Sequence, residues 1–172
     1  MPFGVTYAVY ATVIAVSVGM PLPSSWGLKT PPVKDGWVIS YGKNAPEKAG
    51  IGKNGIYAIE YWSADEMFPK VRPMWSIASD GGVGGYASFT LRRDFELGPF
   101  QISPYAGIAA HQRDWTNYNA KELIQYRTGF DISWVPNERV QVTAGFYHMS
   151  NFGVTGTSAS IDVTRIAFVS RF

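Results

Sequence analysis

His148 and Ser150 stand two residues apart in the run Arg139 to Ser150. In an extended strand, residues two apart share a face. An imidazole and a hydroxyl are therefore brought side by side. A serine hydroxyl is a poor nucleophile until a base takes its proton, and neutral imidazole is a general base suited to that task. The row that ends in this pair is apolar: Val140, Val142, Ala144 and Phe146. The opposite row, Arg139, Gln141, Thr143, Gly145, Tyr147 and Met149, is mostly polar. A nucleophile and a base at the top of an apolar stripe point to chemistry on lipid. A third group must orient the ring, and Asp162 is the nearest downstream acid. Counting back from Phe172 by twos passes Ser170, Phe168, Ile166 and Thr164 to reach Asp162, which puts it on the outward face of the next strand. Consecutive strands joined by one loop are expected to pair, so the acid should meet the histidine.

The elements that position these groups are strands. Turn signals divide the chain after Gly36 into about eight segments. They lie near Gly36–Gly42, Gly55–Ser63, Arg72–Ser79, Gly85–Phe95, Phe100–Gln112, Glu122–Val135, Arg139–Ser150 and Ile161–Phe172. Alternation is clear in several of them. Tyr126, Thr128, Phe130, Ile132 and Trp134 share one face, against Gln125, Arg127, Gly129, Asp131 and Ser133 on the other. Strands of about ten residues, an even count and short turns at alternate ends fit an eight-stranded antiparallel transmembrane β-barrel. Hydrocarbon cannot solvate an open sheet edge, so such a sheet must close. Apolar rows then face lipid and polar rows fill a narrow lumen. Arg113–Ala120 and Lys43–Asn54 are the long loops, expected at the outer end with His148 and Ser150. Asp80-Gly81-Gly82 is a tight turn at that same end.

Composition agrees. The 172 residues carry a net charge of +2, with 16% charged and 15% aromatic residues and no cysteine. Charge is below the usual share of about a quarter, and the aromatics suit the two membrane interfaces. The low net charge makes no case for nucleic acid. Without cysteine there is no disulfide or thiolate metal site. From Val5 to Leu22 the chain is apolar, with small residues Ser17 and Gly19, and no Lys or Arg precedes Lys29. This reads as a secretory signal without a positive n-region; a single transmembrane helix is the alternative reading. Residues 1–34 are accordingly assigned to a signal and lead-in, and 35–172 to the barrel.

His148-Met149-Ser150-Asn151-Phe152-Gly153 resembles the H-x-S-N-x-G stretch of the lipid A 3-O-deacylases, the PagL family of outer-membrane barrel enzymes. That family carries a Glu fourteen residues after the motif His, following an isoleucine; this chain has Ile161-Asp162 there, an acid one methylene shorter. The resemblance implies a serine ester hydrolase in the bacterial outer membrane that removes the 3-position acyl chain of lipid A. It implies Ser150 as nucleophile, His148 as base and Asp162 as the orienting acid. Asn151 and the backbone N–H of Gly153 would form the oxyanion site. The final aromatic, Phe172, matches the ending that such barrels present to their assembly machinery. Lipopolysaccharide and outer-membrane lipids are the implied partners; a homodimer is compatible, and no metal or cofactor is called for. The acyl chain would lie along Val140 to Phe146. Two alternatives remain: a non-enzymatic outer-membrane barrel with a structural or adhesion role, and a soluble lipocalin-like barrel whose faces are inverted.

Other groups have plainer readings. His111 falls on the lumen row of its strand, away from the outward pair. Asp65-Glu66 sits in a short turn and reads as solvated, and the glycine-rich run Gly81–Gly85 reads as a hairpin, since no helix follows to hold a phosphate. Arg92 and Arg93 are expected to meet lumen acids or inner headgroups. Lys43, Lys48, Lys53, Arg113 and Lys121 crowd the outer loops, where they either pair with lipid A phosphates or simply solvate the loops.

Overall fold

A computed structural model describes residues 11–23, 26–44, 55–112, 123–151 and 160–172. Its strands are β1 (Gly36–Asn44), β2 (Ile56–Trp62), β3 (Val71–Ser79), β4 (Gly85–Arg93), β5 (Phe95–Leu97), β6 (Phe100–Gln112), β7 (Ile124–Asn137), β8 (Val140–Ser150) and β9 (Ser160–Arg171). Neighbours pair antiparallel in the order β4-β3-β2-β1-β9-β8-β7-β6-β5, and β4 also pairs with β6. β4 and β5 lie end to end along β6, from Gly85↔Gln112 to Leu97↔Phe100, and together make one wall strand. The result is the closed eight-stranded antiparallel barrel that the alternation predicts. The strand expected over Gly85–Phe95 is instead broken at Asp94. Asp94 turns its carboxylate inward there, accepting from Arg92 Nε at 2.8 Å, Gln101 Nε2 at 2.8 Å and Ser103 Oγ at 2.7 Å.

The two faces divide as expected for a barrel in lipid. Trp37, Ile39, Tyr57, Ile59, Trp75, Ile77, Ile132, Trp134, Ile166 and Phe168 are exposed on the outer wall. Inside, Glu60, Ser76, Arg127, Asp131 and Arg165 are buried beside Tyr105, Tyr147, Met74 and Met149. An eight-stranded barrel has an interior just wide enough for side chains, and these fill it. The inverted, lipocalin-like arrangement is thereby excluded.

Buried charges require partners, and the lumen supplies them. Arg165 Nη1 donates to Glu60 Oε1 at 2.6 Å and its Nη2 to Asp131 Oδ2 at 2.7 Å. Arg127 Nη2 also donates to Glu60 Oε1, at 3.1 Å, and its Nη1 to Ser76 and Ser88. Two cations and two anions cancel within one network that spans β2, β7 and β9. Gly145 is part of the same arrangement, because a Cβ there would collide with Asp131 Oδ1.

The short turns lie at the end of the barrel where β1 begins and β9 ends. At the other end, Asp80 Oδ1 accepts from Gly82 N at 2.9 Å and Gly84 N at 3.1 Å, closing the tight β3–β4 turn, and Gly81 takes a φ of 74°. Such a φ suits glycine. The lead-in runs beneath the short-turn end. Glu96 N donates to Lys29 O at 2.8 Å, Arg171 Nη1 to Lys34 O at 2.6 Å, and Lys34 Nζ to Glu138 Oε2 at 2.9 Å. The hydrogen bond and charge of Lys34 hold the Glu138 carboxyl below its usual range. The contact is therefore lost as acid protonates that carboxyl, with little consequence at so exposed a position. Residues 11–17 form a helical segment that lies against the outer wall, and no helix among the described residues is long and apolar enough to cross a membrane.

Removing one partner from the lumen network leaves an uncompensated buried charge. Glu60→Ala is expected to lower stability by about 3–5 kcal/mol, read from the midpoint of urea unfolding in detergent micelles. Gly145→Ala should displace Asp131 and weaken the same barrel, measured in the same way.

Candidate active site on the lipid-facing wall

β8 and β9 pair in the register that the site needs. His148 lies directly opposite Asp162, and Ser150 opposite Ser160. Directly opposed side chains have Cβ atoms about 4.5–5.5 Å apart, so an aspartate is long enough to reach the ring. His148 Nδ1 lies 2.6 Å from Asp162 Oδ1. With the carboxylate on Nδ1, the ring's Nε2 is the nitrogen left for the serine side. Ser150 follows His148 on the same face, one strand repeat further from the short-turn end. Ser150 is nearly buried, while the Asp162 side chain keeps about a third of its surface exposed (32%).

The acid's backbone is also held. Asp162 N donates to Asn44 Oδ1 at 3.3 Å, from the last residue of β1. The loop expected from Lys43 begins later, because β1 runs on to Asn44 and carries its side chain to the β9 edge. A second residue escaped the sequence reading. Thr128 pairs with His148 across β7 and β8, and its hydroxyl is buried with no hydrogen-bond partner. The alternation of β7 already put Thr128 on the outer face; which residue it opposes depends on the β7–β8 register.

Of the sequence-derived set, the structure joins His148 to Asp162 and sets Ser150 beside them. Asn151 is buried just past β8. Gly153 lies outside the described residues, as do Lys48, Lys53, Arg113 and Lys121. Lys43 is exposed on β1. His111 is buried on the lumen side with Nδ1 2.9 Å from Gln125 Nε2, as its row implied. Arg92 meets the lumen acid Asp94 at 2.8 Å, whereas Arg93 donates to Met20 O at 2.7 Å. That Arg93 contact is with the lead-in rather than with an acid. Asp65 and Glu66 are both exposed, as expected of a solvated turn, and Glu66 also pairs with Arg72 at 3.0 Å.

No family model and no curated protein matches the chain. Solved structures do. A de novo designed transmembrane β-barrel aligns with a TM-score of 0.60 at 8% identity, over 84% of this chain and 99% of that one. The N-terminal β-barrel domain of Pseudomonas aeruginosa OprF aligns at 0.58 and 11% identity, over 82% and 99%. The outer membrane enzyme PagL aligns at 0.56 and 14% identity, over 80% and 99%. The architecture is thus that of outer-membrane β-barrels. At these identities the likeness is one of fold, and an enzyme and non-enzymes share it equally.

The His148–Asp162 pair is part-exposed, so it contributes little to stability. Asp162→Ala should shift the unfolding midpoint by about 1 kcal/mol or less and leave the heat-modifiable band on a gel intact. A collapse of that band would mark the pair as structural.

Proposed function

We propose that this protein is a lipid A 3-O-deacylase of the bacterial outer membrane. The observation that carries the reading is the 2.6 Å contact between His148 Nδ1 and Asp162 Oδ1 on the outer wall, with Ser150 on the same face. Polar side chains facing lipid are costly unless they serve one another or a substrate. The H-x-S-N-x-G motif and the acid at the family's spacing support the same reading.

Lipid A reaches the wall sideways within the outer leaflet. Ser150 Oγ attacks the ester carbonyl at the 3 position and its proton passes to His148 Nε2. Asp162 holds the ring in the Nδ1–H tautomer and stabilises the imidazolium that forms. Asn151 and the Gly153 backbone N–H donate to the oxyanion. His148 then returns the proton to the sugar oxygen as the ester C–O bond breaks. Water, activated by the same histidine, releases the fatty acid and restores Ser150. The Asp in place of the family's Glu is accommodated by direct cross-strand opposition, which places the shorter acid within bonding reach.

A second reading is a non-enzymatic barrel, favoured by the equal likeness to the OprF domain and the designed barrel. Mass spectrometry of lipid A separates the two. Cells making the wild-type protein should lose one hydroxyacyl chain per lipid A; Ser150→Ala and His148→Ala should leave lipid A intact while the barrel still folds. Asp162→Asn should lower kcat by about 10³–10⁴ with KM little changed. Unaltered lipid A in wild-type cells would favour the non-enzymatic reading.

A further inference from the structure

The site does not end at His148. Leu91 pairs with Ala106, Ala106 with Thr128, Thr128 with His148, and His148 with Asp162. These residues form one continuous row across the outer wall from β4 to β9. The row above it reads Phe89, Ile108, Tyr126, Ser150 and Ser160. The polar groups of the site thus lead directly into an apolar band on β6 and β7.

That band is recessed. Ile108 and Tyr126 stand 53% and 45% exposed, whereas Ala106 and Thr128, between them and the short-turn end and beneath the helical segment, are only 7% and 2% exposed. A cavity of about 330 Å³ lies over them, lined by Phe89, Leu91, Ala106, Ile108, Tyr126 and Thr128. This is within the range of small-ligand sites, about 300–1,000 Å³. Ile14 and Val18 of the helical segment close it from the lipid side. Both belong to the stretch assigned to the signal and lead-in, so the acyl chain takes the place that this segment leaves when it is removed. Among the described residues, the Thr128 hydroxyl is a buried side-chain atom of this outer row without a hydrogen-bond partner. Leaving a hydroxyl unpaired in an apolar site is costly, unless a ligand pairs with it.

We infer that this recess holds the scissile acyl chain and that Thr128 selects chains bearing a hydroxyl near the ester. The inference rests on the deacylase reading and adds to it a residue that chooses the substrate. It also moves the chain's path from Val140–Phe146 to the β6–β7 side, where the recess is. Thr128 is the diagonal neighbour of Ser150 across β7 and β8. Diagonal neighbours are about 7–8 Å apart, their Cβ atoms somewhat less, a gap spanned by the serine oxygen, the carbonyl carbon and two further carbons. A hydroxyl on the second of those carbons, the 3-position of the acyl chain, meets the threonine oxygen. An unsubstituted chain leaves Thr128 unpaired, and so binds less well. Ala106, opposite Thr128 on its other side, leaves room for the chain to continue toward Leu91.

The test uses detergent-solubilised protein and two glucosamine esters, one carrying 3-hydroxymyristate and one carrying myristate. Wild type should favour the hydroxylated ester by about tenfold in kcat/KM. Thr128→Val, nearly isosteric, should bring that ratio toward one through loss on the hydroxylated ester. Thr128→Ser should keep the preference. Three results overturn the inference: equal rates on both esters for wild type, an unchanged ratio in Thr128→Val, or equal loss on both esters in that variant, which would make Thr128 a support for His148. If wild type cleaves both esters equally, the deacylase reading stands without this refinement. If it cleaves neither, under conditions where the barrel is folded on a gel, both readings fall.

Discussion

Gly85 pairs with Gln112 and Arg92 with Tyr105, and through these contacts the last free edge of the sheet disappears. A sheet in hydrocarbon has no water to satisfy its edge N–H and C=O groups, so closure is a condition for existing there at all. Once the ring is closed, period-two alternation admits no compromise. Every residue faces either the lumen or the lipid, and a slip of one residue would reverse the whole strand. The division of polar and apolar side chains follows from that single constraint.

The two environments treat polar groups very differently. In the lumen, charges are tolerated because geometry brings opposite signs together. Arg165 bridges Glu60 and Asp131, and Arg127 shares Glu60 with it. These groups are buried within the interior. On the outer wall, the same kinds of group have no general reason to be present. The cluster of Asp162, His148, Ser150 and Thr128 in two adjacent cross-strand rows is therefore informative in a way that a buried arginine is not. Polar side chains scattered along the interfaces are ordinary; a group gathered into adjoining rows above an apolar band, Ser160 among them, is not.

Much of this was legible from residue order. The alternation of β6 to β9 is strong because lipid rewards Phe130, Ile132, Trp134 and Ile166 on one face, while Gln125, Arg127, Asp131 and Arg165 must sit on the other. His148, Ser150 and Asp162 could be put on the outer face by counting in twos. The interruption at Asp94 was not legible, because it answers to Gln101 and Ser103 on the neighbouring strand. Nor was Asn44, whose partner lies 118 residues away in the chain.

The order of residues by itself determined the strand period, the face of each side chain and the short motif around Ser150, since all of these depend on neighbours a few positions apart. Tertiary structure alone decided which residues oppose one another. The β8–β9 register brings a short acid within reach of the imidazole, the β7–β8 register brings Thr128 alongside, and the pairing of lumen charges selects Arg165 as the bridge between two acids. Register is a property of two strands at once, set by closure of the whole ring, and no single stretch of sequence contains it.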